Sequence, residues 1–81
     1  MNTIDPYTQE LLDTLLDAKD PQALLELLQS LLTPAELSEI PKRLQILKRL
    51  KAGEPQRRIA EELGVGIATV SRGARALKRD L

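Results

Sequence analysis

Three times in its first 34 residues the chain places a side-chain acceptor directly before proline: Asp5-Pro6, Asp20-Pro21 and Thr33-Pro34. An Asp or Thr at the N-cap accepts from the unpaired N–H groups of a first helical turn. Proline at the first helical position gives up only an N–H that has no partner there. Each pair therefore starts a helix, and Thr33-Pro34-Ala35-Glu36 adds the glutamate of a capping box. Ala52-Gly53-Glu54-Pro55 stops the third helix with glycine and begins another at Pro55 or Gln56. A chain punctuated in this way, with no β pattern, low-complexity tract or repeat of fixed period, is expected to be all-α, built of four to five short helices.

The first helix carries Tyr7, Leu11, Leu12, Leu15 and Leu16 at i, i+4 spacing. The second carries Leu24, Leu25, Leu27, Leu28, Leu31 and Leu32, which wrap around more than one face and cannot all be covered within a small chain. The third runs from Thr33 to about Ala52, with Ile40, Leu44, Leu47 and Leu50 as its expected apolar stripe. Pro41 lies too deep for the opening turn; it removes a hydrogen bond and crowds the carbonyl of Leu37, so a kink or a restart capped by Ser38 is expected. Eighty-one residues make one small domain whose own core gives marginal stability. A homodimer follows as the expectation, joined through helices of about residues 6–50, with a separate head at about residues 55–78.

The chain has no cysteine and no histidine, which removes thiolate and imidazole metal sites, disulfides and the commonest general base. Only scattered carboxylates, lysines and hydroxyls remain, without a visible activating partner, so neither an enzyme nor a metal protein is expected. No apolar run approaches the roughly 20 residues that cross a bilayer, and Met1-Asn2-Thr3-Ile4-Asp5 lacks the basic start of a signal peptide. The expectation is a cytoplasmic protein with no membrane contact. Net charge is zero but unevenly spread: residues 1–40 carry eight carboxylates against Lys19 alone, a net −7, and residues 41–81 carry 11 cations against four carboxylates, a net +7. A cationic half attracts phosphate, and the acidic half is left for other contacts.

Within the basic half, Gln56-Arg57-Arg58-Ile59-Ala60-Glu61-Glu62-Leu63 puts Ile59, Ala60 and Leu63 on one face of a two-turn helix. Gly64-Val65-Gly66 makes a three-residue turn, and Ile67 to Leu77 resumes helical spacing with Val70, Ala74 and Leu77 inward. A small residue at Ala60, glycine at Gly64 and a β-branched anchor at Val70 are what a helix-turn-helix requires. The opening of the second helix offers Ile67, Ala68 and Thr69 to base edges, where methyl groups and a hydroxyl touch thymine methyls or water. Gln56, Arg57, Ser71, Arg72, Arg75 and Lys78 surround them as candidate phosphate or base contacts.

Leu32-Thr33-Pro34, Arg43, the string Gly64-Val65-Gly66-Ile67-Ala68-Thr69-Val70-Ser71-Arg72-Gly73 and Leu77-Lys78 resemble the bacterial Trp repressor family, over about Leu32 to Lys78. The resemblance implies an intertwined dimer, water-mediated and major-groove reading of a palindromic double-stranded DNA operator, and L-tryptophan as an effector held between the third helix and the reading helix. It implies that Arg43 and Arg72 sandwich the indole, that Thr33 and the carbonyls of Ser30 and Leu32 hold the amino-acid head group, and that Gly73 makes room for the ligand. Glycine inside a helix, at about 1 kcal/mol relative to alanine, marks close approach by a ligand or by another helix. The resemblance also implies a bacterial, nucleoid-associated repressor.

Three departures bear on these expectations. The family usually has a serine near Ala76 that helps to bind the amino group, so Ala76 contributes surface there and no hydroxyl. Pro55 stands where a Ser or Thr cap is usual, with the segment one residue shorter. The sequence ends at Leu81, where the family continues into another helix.

Overall fold

The structure is a computed structural model that describes residues 3–80, and side chains as far as Lys78. Its described residues form five helices and no strand: α1 (Pro6–Leu16), α2 (Pro21–Leu31), α3 (Pro34–Lys51), α4 (Gln56–Leu63) and α5 (Ile67–Asp80). The chain is organised as two compact units, Met1–Leu37 and Ser38–Leu81.

In the first unit the three acceptor-proline pairs cap their helices as expected. Asp5 accepts from the Thr8 backbone N–H at 2.9 Å and from the Thr8 hydroxyl at 2.6 Å. Those two bonds, the hydroxyl first, hold its carboxyl below the ordinary aspartate value. Asp20 accepts from the Ala23 N–H at 2.8 Å. At Thr33 the capping box is reciprocal: the Glu36 N–H donates to the Thr33 hydroxyl at 3.2 Å, and the Thr33 N–H donates to the Glu36 carboxylate at 2.9 Å. The leucines gather no closed core around these helices. Neither α1 nor α2 has a buried residue, and Tyr7 and Leu16 are more than four-fifths exposed.

The second unit has the core. Ile46 from α3, Ile59 and Ala60 from α4, and Val70 from α5 are buried, with Leu50, Leu63 and Val65 packed against them. The small Ala60 lets α4 and α5 approach, and Val70, with no exposed surface, anchors the second helix beneath the first. Ala74 and Leu77 are half-buried, on the side expected.

Two expectations for α3 need correction. Ile40 and Leu44 are exposed, at 41% and 55%, whereas Ile46 is 2% exposed. Of the expected stripe, Leu50 packs against the core and Leu47 lines the cleft beside it, whereas Ile46 is buried in place of Ile40 and Leu44, because α4 and α5 pack on that side of the helix. Pro41 also sits inside a helix that is continuous from Pro34 to Lys51, with no restart at Ser38.

The turn of the helix-turn-helix depends on Gly64, which closes α4 at φ +67°. The Val65 N–H reaches back to the Ala60 carbonyl at 3.0 Å, the six-residue bond of a Schellman end. A Cβ at Gly64 would meet nothing within 4 Å, so the demand there is on backbone conformation alone. Gly64→Ala should lower stability in urea unfolding by about 1 kcal/mol, and Gly64→Asn, whose side chain tolerates the left-handed region, by less. Equal destabilisation by the two variants would contradict this account of the turn.

Candidate nucleic-acid interface and adjoining cleft

The opening turns of α5 present the residues expected to read bases. Ile67 is 50% exposed, Ala68 is exposed and Thr69 is half-buried. Gln56, at the start of α4, accepts a hydrogen bond from the Ser71 hydroxyl of α5 at 2.8 Å. This bond ties the two helices at their outer surface and leaves the Gln56 amide N–H groups available as donors. Two residues expected as separate contacts thus form one hydrogen-bonded pair.

The cations of the head divide into two groups. Arg49 pairs with Glu62 at 2.8 Å and with Glu54 at 3.8 Å, and Arg58 pairs with Glu62 at 3.7 Å. These bridges are partly exposed and each is worth at most about 1 kcal/mol, but they occupy carboxylates that would otherwise oppose an anionic partner. Arg57, Arg72, Arg75 and Lys78 take part in no ion pair within 4 Å among the described residues. Among the described residues of α4 and α5 they are the cations left without a carboxylate partner.

Beside this surface, α3 and α5 enclose a cleft of about 360 Å³, within the usual range of about 300–1,000 Å³ for small-molecule sites. Glu39, Arg43, Ile46 and Leu47 line it from α3, and Thr69, Arg72, Gly73 and Ala76 from α5. Its floor is apolar, and its charges are two guanidinium groups and one carboxylate. Arg72 turns an NH2 group toward the Thr69 hydroxyl at 3.4 Å, a long hydrogen bond that joins two lining residues one turn apart. At Gly73 a Cβ would lie 3.0 Å from Ile46 Cγ2 and 3.5 Å from Leu50 Cδ1. The missing side chain eases the close approach of α3, where a Cβ would press on the Ile46 side chain, and the same bare stretch of helix forms part of the cleft.

Four residues expected at a ligand site, Arg43, Arg72, Gly73 and Ala76, come together here. Ser30, Leu32 and Thr33 lie in the first unit and are not among the lining residues. The Thr33 hydroxyl is engaged with the Glu36 N–H, and the Ser30 hydroxyl donates to the Leu27 carbonyl at 2.7 Å. Sequence reading missed Glu39, Ile46 and Leu47 as lining residues and placed Thr69 on the DNA side only. The signal was present: Glu39, Arg43 and Leu47 stand at i, i+4 and i+8 of one helix, so a site at Arg43 brings its neighbours one turn away with it. Among the described residues no cluster of carboxylates could hold a metal ion, and no helix is long and apolar enough to cross a membrane.

The profile of the family described as Trp repressor protein matches residues 7–80. A Trp operon repressor homolog of Vibrio parahaemolyticus is 41% identical over 71 residues, covering 86% of this chain and 69% of the relative. One from Photobacterium profundum is 42% identical over the same length, with the same coverage. One from Vibrio vulnificus is 47% identical over 53 residues, 64% of this chain and 52% of the relative.

Proposed function

The chain belongs to the Trp repressor family, one of transcriptional repressors rather than enzymes, and from that premise we propose that it is a sequence-specific DNA-binding repressor with L-tryptophan as its co-repressor. It acts as a homodimer on a palindromic double-stranded operator in the bacterial cytoplasm. Ile67, Ala68 and Thr69 meet base edges, and Gln56, Arg57, Ser71, Arg75 and Lys78 meet the backbone around them. The indole lies on the apolar floor between Arg43 and Arg72, against Gly73 and Ala76.

One observation carries this reading: Thr69 and Arg72 lie in the opening turns of α5, and both line the cleft that Arg43 closes from α3. A ligand there touches the side chains that set the reading surface. The leucines left open on α1 and α2 support the dimer, because a second copy is the partner a small chain always has available.

Calorimetric titration with L-tryptophan, with and without a palindromic operator duplex, tests the proposal. Heat on addition of the amino acid alone, and tighter duplex binding in its presence, are the expected results. Absence of heat at millimolar ligand together with unchanged duplex affinity would remove the co-repressor and leave the DNA-binding role. Absence of salt-sensitive duplex binding would remove that role as well.

A further inference from the structure

We propose that Glu39 is a specificity-determining residue of the cleft, selecting ligands that carry an ammonium group beside their carboxylate over the corresponding deaminated acids. The proposal rests on the reading of the cleft as the site of an indole amino acid.

The charged groups of the cleft divide cleanly by hydrogen-bonding chemistry. Arg43 and Arg72 carry donors and no acceptor, whereas the ionised carboxylate of Glu39 is an acceptor only. The other side-chain acceptor in the lining, the Thr69 hydroxyl, already faces Arg72. A cationic N–H group entering the cleft therefore finds its charged acceptor at Glu39.

That carboxylate is not consumed within the fold. Its ion pair is with Lys42 at 3.9 Å, with both side chains close to half exposed, a long and solvent-screened interaction. Arg43 stands one turn along the same helix and Arg72 on α5, yet among the described residues neither forms an ion pair with Glu39 within 4 Å. The cleft thus holds opposite charges apart around an apolar floor. A zwitterion with a flat apolar body complements it: its carboxylate goes to a guanidinium and its ammonium to Glu39. A ligand with the carboxylate alone keeps the first interaction but brings a like charge toward Glu39.

The test compares L-tryptophan with 3-indolepropionic acid, which is tryptophan without its amino group, by calorimetry on the full chain and on Glu39→Gln and Glu39→Asp. Glu39→Gln keeps the shape and removes the charge; it should weaken L-tryptophan about tenfold and leave 3-indolepropionic acid unchanged or tighter. Glu39→Asp keeps the charge and should retain most of the preference for the amine. If Glu39→Gln changes both ligands by the same factor, or neither, Glu39 does not select the amine and the cleft reading stands without it. If the wild-type chain binds neither ligand, the cleft reading itself is overturned and this proposal with it.

Discussion

Ile59→Ala is expected to destabilise the helix-turn-helix head by about 3 kcal/mol, raising its unfolding constant roughly a hundredfold. Ile59 has no exposed surface and sits where the three helices of the second unit converge, packed with Ile46 of α3, Val70 of α5 and the Leu63 and Val65 pair at the turn. Truncation removes three carbons from a site bounded on all sides by other buried atoms. The transfer term is therefore joined by a cavity that neighbouring helices cannot close without disturbing their own packing. Ile67→Ala is the internal comparison, because Ile67 is half exposed and should change stability by less than about 0.5 kcal/mol. Urea unfolding of the two variants decides the matter: similar destabilisation by both would mean that the core has been misidentified.

Combined replacement Arg57→Ala and Lys78→Ala should weaken duplex binding on the order of a hundredfold for each head that contacts the duplex, at about 1.5 kcal/mol for each charge-assisted hydrogen bond to phosphate removed. The weakening should be nearly equal for an operator and for a random duplex, because phosphates carry no direct sequence information. It should also flatten the dependence of log K on log salt, by about 0.9 for each phosphate no longer neutralised. Arg57 and Lys78 suit this test because they are exposed, unpaired among the described residues and absent from the cleft lining. Arg72→Ala would mix two effects, since that side chain belongs to the cleft as well. Anisotropy titrations from low to high salt measure both quantities. A preserved salt slope would show that the backbone is held by other residues, whatever the change in affinity.

The parts of the fold legible in the sequence are those decided within a few residues. Asp5, Asp20 and Thr33 cap their helices because each acceptor needs only the N–H three positions on, and Gly64 ends α4 because the turn conformation is local. Ile59, Ala60 and Val70 were legible because the helix-turn-helix repeats a small set of packing positions at fixed spacing. On α3 the same reasoning failed for a physical reason. That helix carries apolar side chains on more than one face, and periodicity cannot say which face the head will cover. The choice fell on Ile46, and Ile40 and Leu44 were left open. At Pro41 the helix continues and does not restart at Ser38.

The site was partly legible in the same way. Arg43, Arg72, Gly73 and Ala76 were reached through the family resemblance, and all four line the cleft. Glu39 carries one sequence signal, its place one turn before Arg43, and that spacing has meaning only once Arg43 is known to face a cleft. Only the crossing of α3 with α5 makes it a wall of the site.

In the proposed function Thr69 and Arg72 belong both to the reading surface and to the cleft, so the two binding equilibria would be coupled through shared side chains. Whatever factor a bound ligand contributes to operator affinity, the operator returns to ligand affinity. Free repressor and DNA-bound repressor would then read the same ligand concentration through different thresholds. As the ligand is withdrawn, molecules off the DNA empty first and those on the operator last. The setting at which a gene is released would then be a property of the occupied operator, and isolated protein in a calorimeter would report a different one.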